Sequence, residues 1–244
     1  MMGLARGGSR EFWFMGGNPY VNLLYLPFTF LSISYVLDGI IAGRGFRPVV
    51  DAPLLAAYFI GHGVAAHFIN EAYSNRVLDG RAGNMARIAV AGYGALAAAA
   101  ALGMIAVAEA GWNPFLIAVG ALEVALLVAY NHPASRPAHN DVTVAVAVGA
   151  LPALAGYFAS GGPPSATAAL TALACALLVS LEITPSRFVK RWRRGPEPRA
   201  IVYADGSMDR IDLRDLVERP ERVIKIMLAL SYVMPVLLYA IAHC

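Results

Sequence analysis

The sequence predicts an all-α fold: a polytopic bundle of about seven transmembrane helices, with a small cytoplasmic β-hairpin inserted before the last one. Three observations predict it. The 244 residues are 58% hydrophobic and only 14% charged, whereas soluble domains carry roughly 25% charged residues. Mean hydropathy is +0.58. Seven apolar segments, near 20–42, 50–72, 87–108, 113–131, 142–160, 164–184 and 222–242, each approach the length that a span needs, about 20 residues. With seven spans, seventeen basic residues fall on one side of the membrane and two, Arg44 and Arg47, on the other. The positive-inside rule then places the N-terminus in the cytoplasm and Cys244 outside the cell membrane.

So little chain remains outside these segments that residues 1–244 form one membrane domain, with 185–221 as a cytoplasmic loop within it. The apolar run behind Arg6 and Arg10 is too long for a signal-peptide core, so the first span is retained. Cys175 and Cys244 show no disulfide or metal-knuckle spacing. The sequence contains no P-loop, no GxGxxG fingerprint and no nucleophile elbow. No nucleic-acid partner is expected.

Span one is aromatic and β-branched, with Asp38 near its far end. Span two carries His62 and His67 on an apolar helix. Such a histidine either hydrogen-bonds a neighbouring helix or serves as a ligand. Span three, AGYGALAAAAALGMIAVAEA, has small residues dense enough for close helix packing. Span four places Glu123 near mid-helix. A carboxyl at that depth must be protonated, be paired or face a wet cavity, so packing and cavity-lining readings both stand.

The loop Tyr130–Asp141 is held extended by two prolines. Pro152 should kink span five between Gly149 and Gly156. Span six carries Glu182 near its cytoplasmic end and is closed or kinked by Pro185. The basic cluster behind it (Arg187, Lys190, Arg191, Arg193 and Arg194, flanking Trp192) suits anionic headgroups or a diphosphate. Residues 200–204 and 208–213 flank Asp205-Gly206-Ser207, a hairpin signal. A short helix from Leu213 to Glu218 should follow, broken by Pro220. A hairpin this small needs support from the membrane domain or a protein partner.

Polar residues concentrate where span two leaves the hydrocarbon: His67, Asn70, Glu71, Ser74, Arg76 and Asp79. Ionisable groups at such a mouth are costly and are placed there for a reason. This stretch, HFINEAYSNRVLDG, resembles the first motif of the UbiA-type intramembrane prenyltransferase superfamily, Asn-Asp-x-x-Asp-x-x-x-Asp. Asn70 matches the leading Asn, Glu71 stands at the first Asp and Ser74 at the second, and Asp79 falls one position beyond the last. Tyr130–Arg136 and the following VAVGALPALAGYFASGG resemble the family's fourth-to-fifth-span region. Glu182 and Ser186 stand near its second acidic motif.

The resemblance implies a helical bundle with a cavity open to the cytoplasm and to lipid, binding an isoprenoid diphosphate through magnesium. It implies catalytic Glu71 and Asp79, metal ligands Glu71, Asp79 and Glu182, and substrate contacts from Asn70, Ser74, Arg76, Tyr130, Arg136, Arg187 and Lys190. Magnesium bridges carboxylates to phosphates, and the cations would neutralise the leaving diphosphate. The activity implied is prenyl transfer to an aromatic or other small acceptor. The alternative is a non-catalytic UbiA-like protein that binds a lipid or quinone, or a subunit of a membrane complex.

Overall fold

The computed structural model describes residues 19–70, 72–73, 82–132, 137–138, 140–194, 201–202, 204–209 and 219–243. Helix starts follow local chemistry. Pro48 occupies the first turn of its helix, and the Asp51 carboxylate accepts the Arg47 N–H just ahead of it. Asn113 Oδ1 accepts from the Phe115 N–H at 3.0 Å with Pro114 behind it. Asn140 Oδ1 accepts from the Thr143 N–H at 2.9 Å. These side chains satisfy amide donors that the first helical turn leaves without partners.

The described chain forms seven helical rods: α1 (Pro19–Gly43), α2 (Pro48–Asn70), α3 (Ala82–Glu109), α4 (Pro114–Asn131), α5 (Asp141–Ala159), α6 (Ala166–Arg194) and α7 (Arg219–His243). Five of them, α2 to α6, are long and apolar enough to cross a membrane. At the end of α3, Gly111 (φ +73°) makes the left-handed turn that lets the Trp112 N–H reach back to the Val107 carbonyl at 2.9 Å. Ile201–Val202 pairs antiparallel with Met208–Asp209, two residues on each side. Between them the Asp205 carboxyl is held below the usual carboxylate range, because the Ser207 hydroxyl and N–H both donate to it.

α1 is the axis, packing on α2, α5, α6 and α7. The others follow one another around it, α2 on α3, α3 on α4, α4 on α5, α5 on α6 and α6 on α7. Leu31, Tyr35 and Val36 of α1 are wholly buried. Its closest partner is α5. A Cβ on Gly39 would run into the Ala153 carbonyl, and one on Gly156 would run into the Val36 carbonyl. Gly149 similarly lets α5 touch α6, where a Cβ would lie 2.7 Å from the Cys175 carbonyl oxygen. Small residues are how helices gain contact where lipid removes the hydrophobic drive.

Two rods contain a π turn: α2 over Phe59–Ala65 and α5 over Val146–Ala150. In α5 it ends where the expected disruption at Pro152 falls, with the Leu151 N–H bonded back to Val146. Of the two outcomes expected at Pro185, closure does not occur: α6 continues through it to Arg194, so the basic cluster lies on a helical extension instead of a loop. The carbonyl freed by Pro185 falls near the end of the apolar stretch, where water can satisfy it. Pro220 lies in the first turn of α7, and the short helix expected from Leu213 to Glu218 lies outside the described residues.

Packing through bare Cα atoms predicts that Gly156→Val destabilises the bundle by about 1–3 kcal/mol. Gly94→Ala, where a Cβ meets open space, should leave stability unchanged or slightly raised. Unfolding midpoints of the detergent-solubilised variants measure both.

Candidate functional site

A buried histidine–carboxyl pair lies beside a cavity between α2, α3 and α4. Within the π turn of α2, His62 stands between Gly61 and Gly63. The turn closes with the Ala66 N–H bonded to the Gly61 carbonyl, five residues back. Such a turn accommodates one extra residue and re-aims the side chains around it. Gly63 lets Thr29 of α1 come close, where a Cβ would lie 2.8 Å from its methyl. Gly61 faces Ala99 of α3.

His62 reaches two helices from there. Its Nδ1 lies 2.5 Å from Ser32 Oγ on α1, and its Nε2 lies 2.6 Å from Glu123 Oε1 on α4. Tyr58, one turn earlier, sets its ring edge-on to the imidazole at 5.3 Å and turns its hydroxyl toward the Glu123 carboxyl. Glu123 is 7% exposed. Its second oxygen, Oε2, is buried without a hydrogen-bond partner in the protein. A charged or strongly polar pair this deep persists only because each member satisfies the other.

The pair forms part of the wall of a cavity of about 460 Å³. The rest of the lining is nearly all aliphatic or glycine, with Leu54 at one end, Leu127 at the other and Ala99 and Gly103 on α3. Met104, Ile117 and Val124, also in the lining, are exposed on the outer surface, so the cavity opens toward the surroundings of the bundle. Glycine and alanine on α3 and α4 leave this space unfilled, as the missing neighbours at Gly103 and Gly120 show.

The stretch that leads out of α2 meets the same cleft at one end. Ile69 packs with Leu96 and Leu127, two residues that also line the cavity. Asn70 follows in the last turn of α2, its Oδ1 buried without a partner. Tyr73 contacts both Tyr93 and His132, at ring separations of 6.5 and 5.2 Å. Tyr130 lies in the last turn of α4, half-buried.

No family model, no curated protein and no solved structure matches this chain.

The sequence-derived site residues fare differently. Asn70 and Tyr130 come to the same end of the α2–α3–α4 cleft. Glu182 lies elsewhere, in the seam of α1, α6 and α7, where its Oε1 accepts from Ser231 Oγ at 3.0 Å. Tyr35 donates to the same serine at 3.3 Å, and Ser34 donates to the Ser231 carbonyl at 2.7 Å. Glu71, Ser74, Arg76, Asp79 and Arg136 lie outside the described residues, as do the side chains of Arg187 and Lys190. Among the described residues, no three His, Cys, Asp or Glu side chains converge to hold a metal ion.

The His62–Glu123 contact yields a prediction. His62→Leu strands a buried carboxyl and should cost about 3–5 kcal/mol, whereas His62→Leu with Glu123→Leu replaces both polar members and should cost less than the single change. Unfolding of both proteins in the same detergent decides it. A double variant at least as unstable as the single would show that the pair is not coupled.

Proposed function

We propose that this chain is a UbiA-like intramembrane protein that takes a long apolar isoprenoid into the α2–α3–α4 cleft. The observation that carries the reading is the 460 Å³ apolar cavity that opens at the bundle surface, two of whose lining residues, Leu96 and Leu127, pack against Ile69 next to Asn70. Ligand sites for such molecules are concave and mostly apolar, with few polar groups that fix orientation. A lipid-soluble ligand enters from the bilayer through the opening between Met104 and Val124.

A second reading adds chemistry at the cleft's cytoplasmic end: prenyl transfer from an isoprenoid diphosphate to an aromatic or other small acceptor. Asn70 favours it, because its buried oxygen lacks a partner at the position of the family motif's leading Asn. Glu71 and Asp79 would hold magnesium, and Arg76 and Arg136 would neutralise the diphosphate. Glu182 supports this reading less, since it lies in the α1–α6–α7 seam, away from the cleft. Both readings place seven spans in the cell membrane with the N-terminus inside, as the distribution of basic residues favours.

Gly103→Trp tests the occupant directly. The indole would fill the space beside Gly103 and should weaken binding of a labelled polyprenyl chain at least about tenfold, roughly 1.4 kcal/mol, in protein that still elutes as a folded species. Unchanged binding would place the chain elsewhere. Magnesium-dependent binding or turnover of a prenyl diphosphate, lost in Glu71→Gln, selects the enzyme. Chain binding indifferent to magnesium and to that change selects the non-catalytic protein.

A further inference from the structure

We infer that the cleft measures its occupant: it holds three isoprene units of a chain, about fifteen carbons, between two closed ends. This rests on the reading of the cleft as an isoprenoid site and adds the length of chain that the site selects. Each wall contributes one member of a floor, Leu54 from α2, Val107 from α3 and Leu116 from α4, exposed by only 4, 5 and 3%. All three belong to one packed cluster that continues into Val50 and Val119. The opposite end is closed in the same way. Leu96 of α3 and Leu127 of α4 line the cavity, are buried, and pack in one cluster with Ile69 of α2. Between the two ends α3 and α4 contribute small residues to the lining, among them Ala99, Gly103, Gly120 and Ala121.

The spacing of the ends agrees on adjacent walls. Leu96 and Val107 are eleven residues apart on α3, and Leu116 and Leu127 are eleven apart on α4. At the helical rise per residue, each pair is about 16 Å apart. An isoprene unit advances an extended chain by four carbon–carbon bonds, roughly 5 Å. Three units therefore fit between the ends. Volume gives an independent count: an apolar cavity of roughly 150 Å³ takes one six-carbon ring, so 460 Å³ takes about eighteen carbons. A fourth unit has to leave through the side, past Met104, Ile117 and Val124, where the lining is exposed. There it meets lipid tails, which are as apolar as the protein, and adds nothing to affinity. Inside the slot, each unit replaces empty space with dispersion contacts.

The test measures direct binding of four radiolabelled prenyl alcohols, of two, three, four and six isoprene units, to the full chain in lipid nanodiscs. Affinity expressed per mole fraction in the lipid removes the effect of partitioning into the bilayer. Three units should bind at least about threefold more tightly than two, the yield of one more unit's dispersion contacts, and four and six units should match three. Affinity that keeps rising to six units, or that is equal for all four alcohols, overturns the length limit while leaving the cleft as an isoprenoid site. Failure of all four to bind overturns both. Two variants locate the slot. Leu116→Ala lowers the floor, so four units should now bind more tightly than three; the parent's pattern in folded Leu116→Ala protein overturns the floor. Gly103→Leu removes no core side chain, and a Cβ there meets open space. Its side chain enters the slot, so three units should bind no better than two. A preference for three units that survives Gly103→Leu overturns the slot as the measuring space.

Discussion

The closest constraint in this molecule is the backbone contact between α1 and α5. Gly39 and Gly156 each face a carbonyl of the other helix, so neither position has room for a side-chain carbon. In lipid, dispersion contact of this kind replaces the hydrophobic effect as the force that assembles helices. Once α1 and α5 are locked, α6 and α7 close one side through Cys175, Val179, Ile183, Ile224 and Leu228. On the other side α2, α3 and α4 pack with α1 and α5 through Val50, Leu54, Tyr58, Val107, Leu116 and Val119. α3 offers alanine and glycine where bulk would be needed, and the unfilled volume becomes the cleft.

That asymmetry explains why the polar groups of the two halves behave differently. Glu182 is closed into the α1–α6–α7 seam and engaged by Ser231, with Tyr35 on the same serine. Its bonds suit an interhelical fastening. Each of the two carboxyls has one oxygen engaged and one buried without a partner, and of the two it is Glu123 that lines the cavity. The two carboxyls, on α4 and α6, thus differ in how much space surrounds each. The π turn of α2 connects the two halves: through His62 it ties the cleft to the axial helix at Ser32.

Much of this organisation was legible in residue order. Apolar run lengths mark the helices, and Pro48, Pro114 and Asn140 mark where three of them start. The small residues of span three signalled close packing, though not that their density would also leave a cavity. His62 and Glu123 each stood out as a lone polar group in an apolar span. Their pairing was not legible, because it depends on a π turn that breaks helical periodicity and on contact across 61 residues of chain. Sequence left closure and kinking both open at Pro185, and α6 runs on past it. The motif after span two shows its first member, Asn70, at the end of the cleft.

The central claim is that a long apolar chain occupies the space between α2, α3 and α4. Photolabelling measures this directly, using a polyprenyl probe with a diazirine near its tail, the purified protein in nanodiscs, and peptide mapping of the adducts. Adducts on α3 and α4 around Ala99, Gly103, Gly120 and Leu127, suppressed by excess unlabelled isoprenoid, are the result expected here. Adducts spread over the exposed leucines of α6, Leu173, Leu177 and Leu181, and insensitive to competitor, would contradict it.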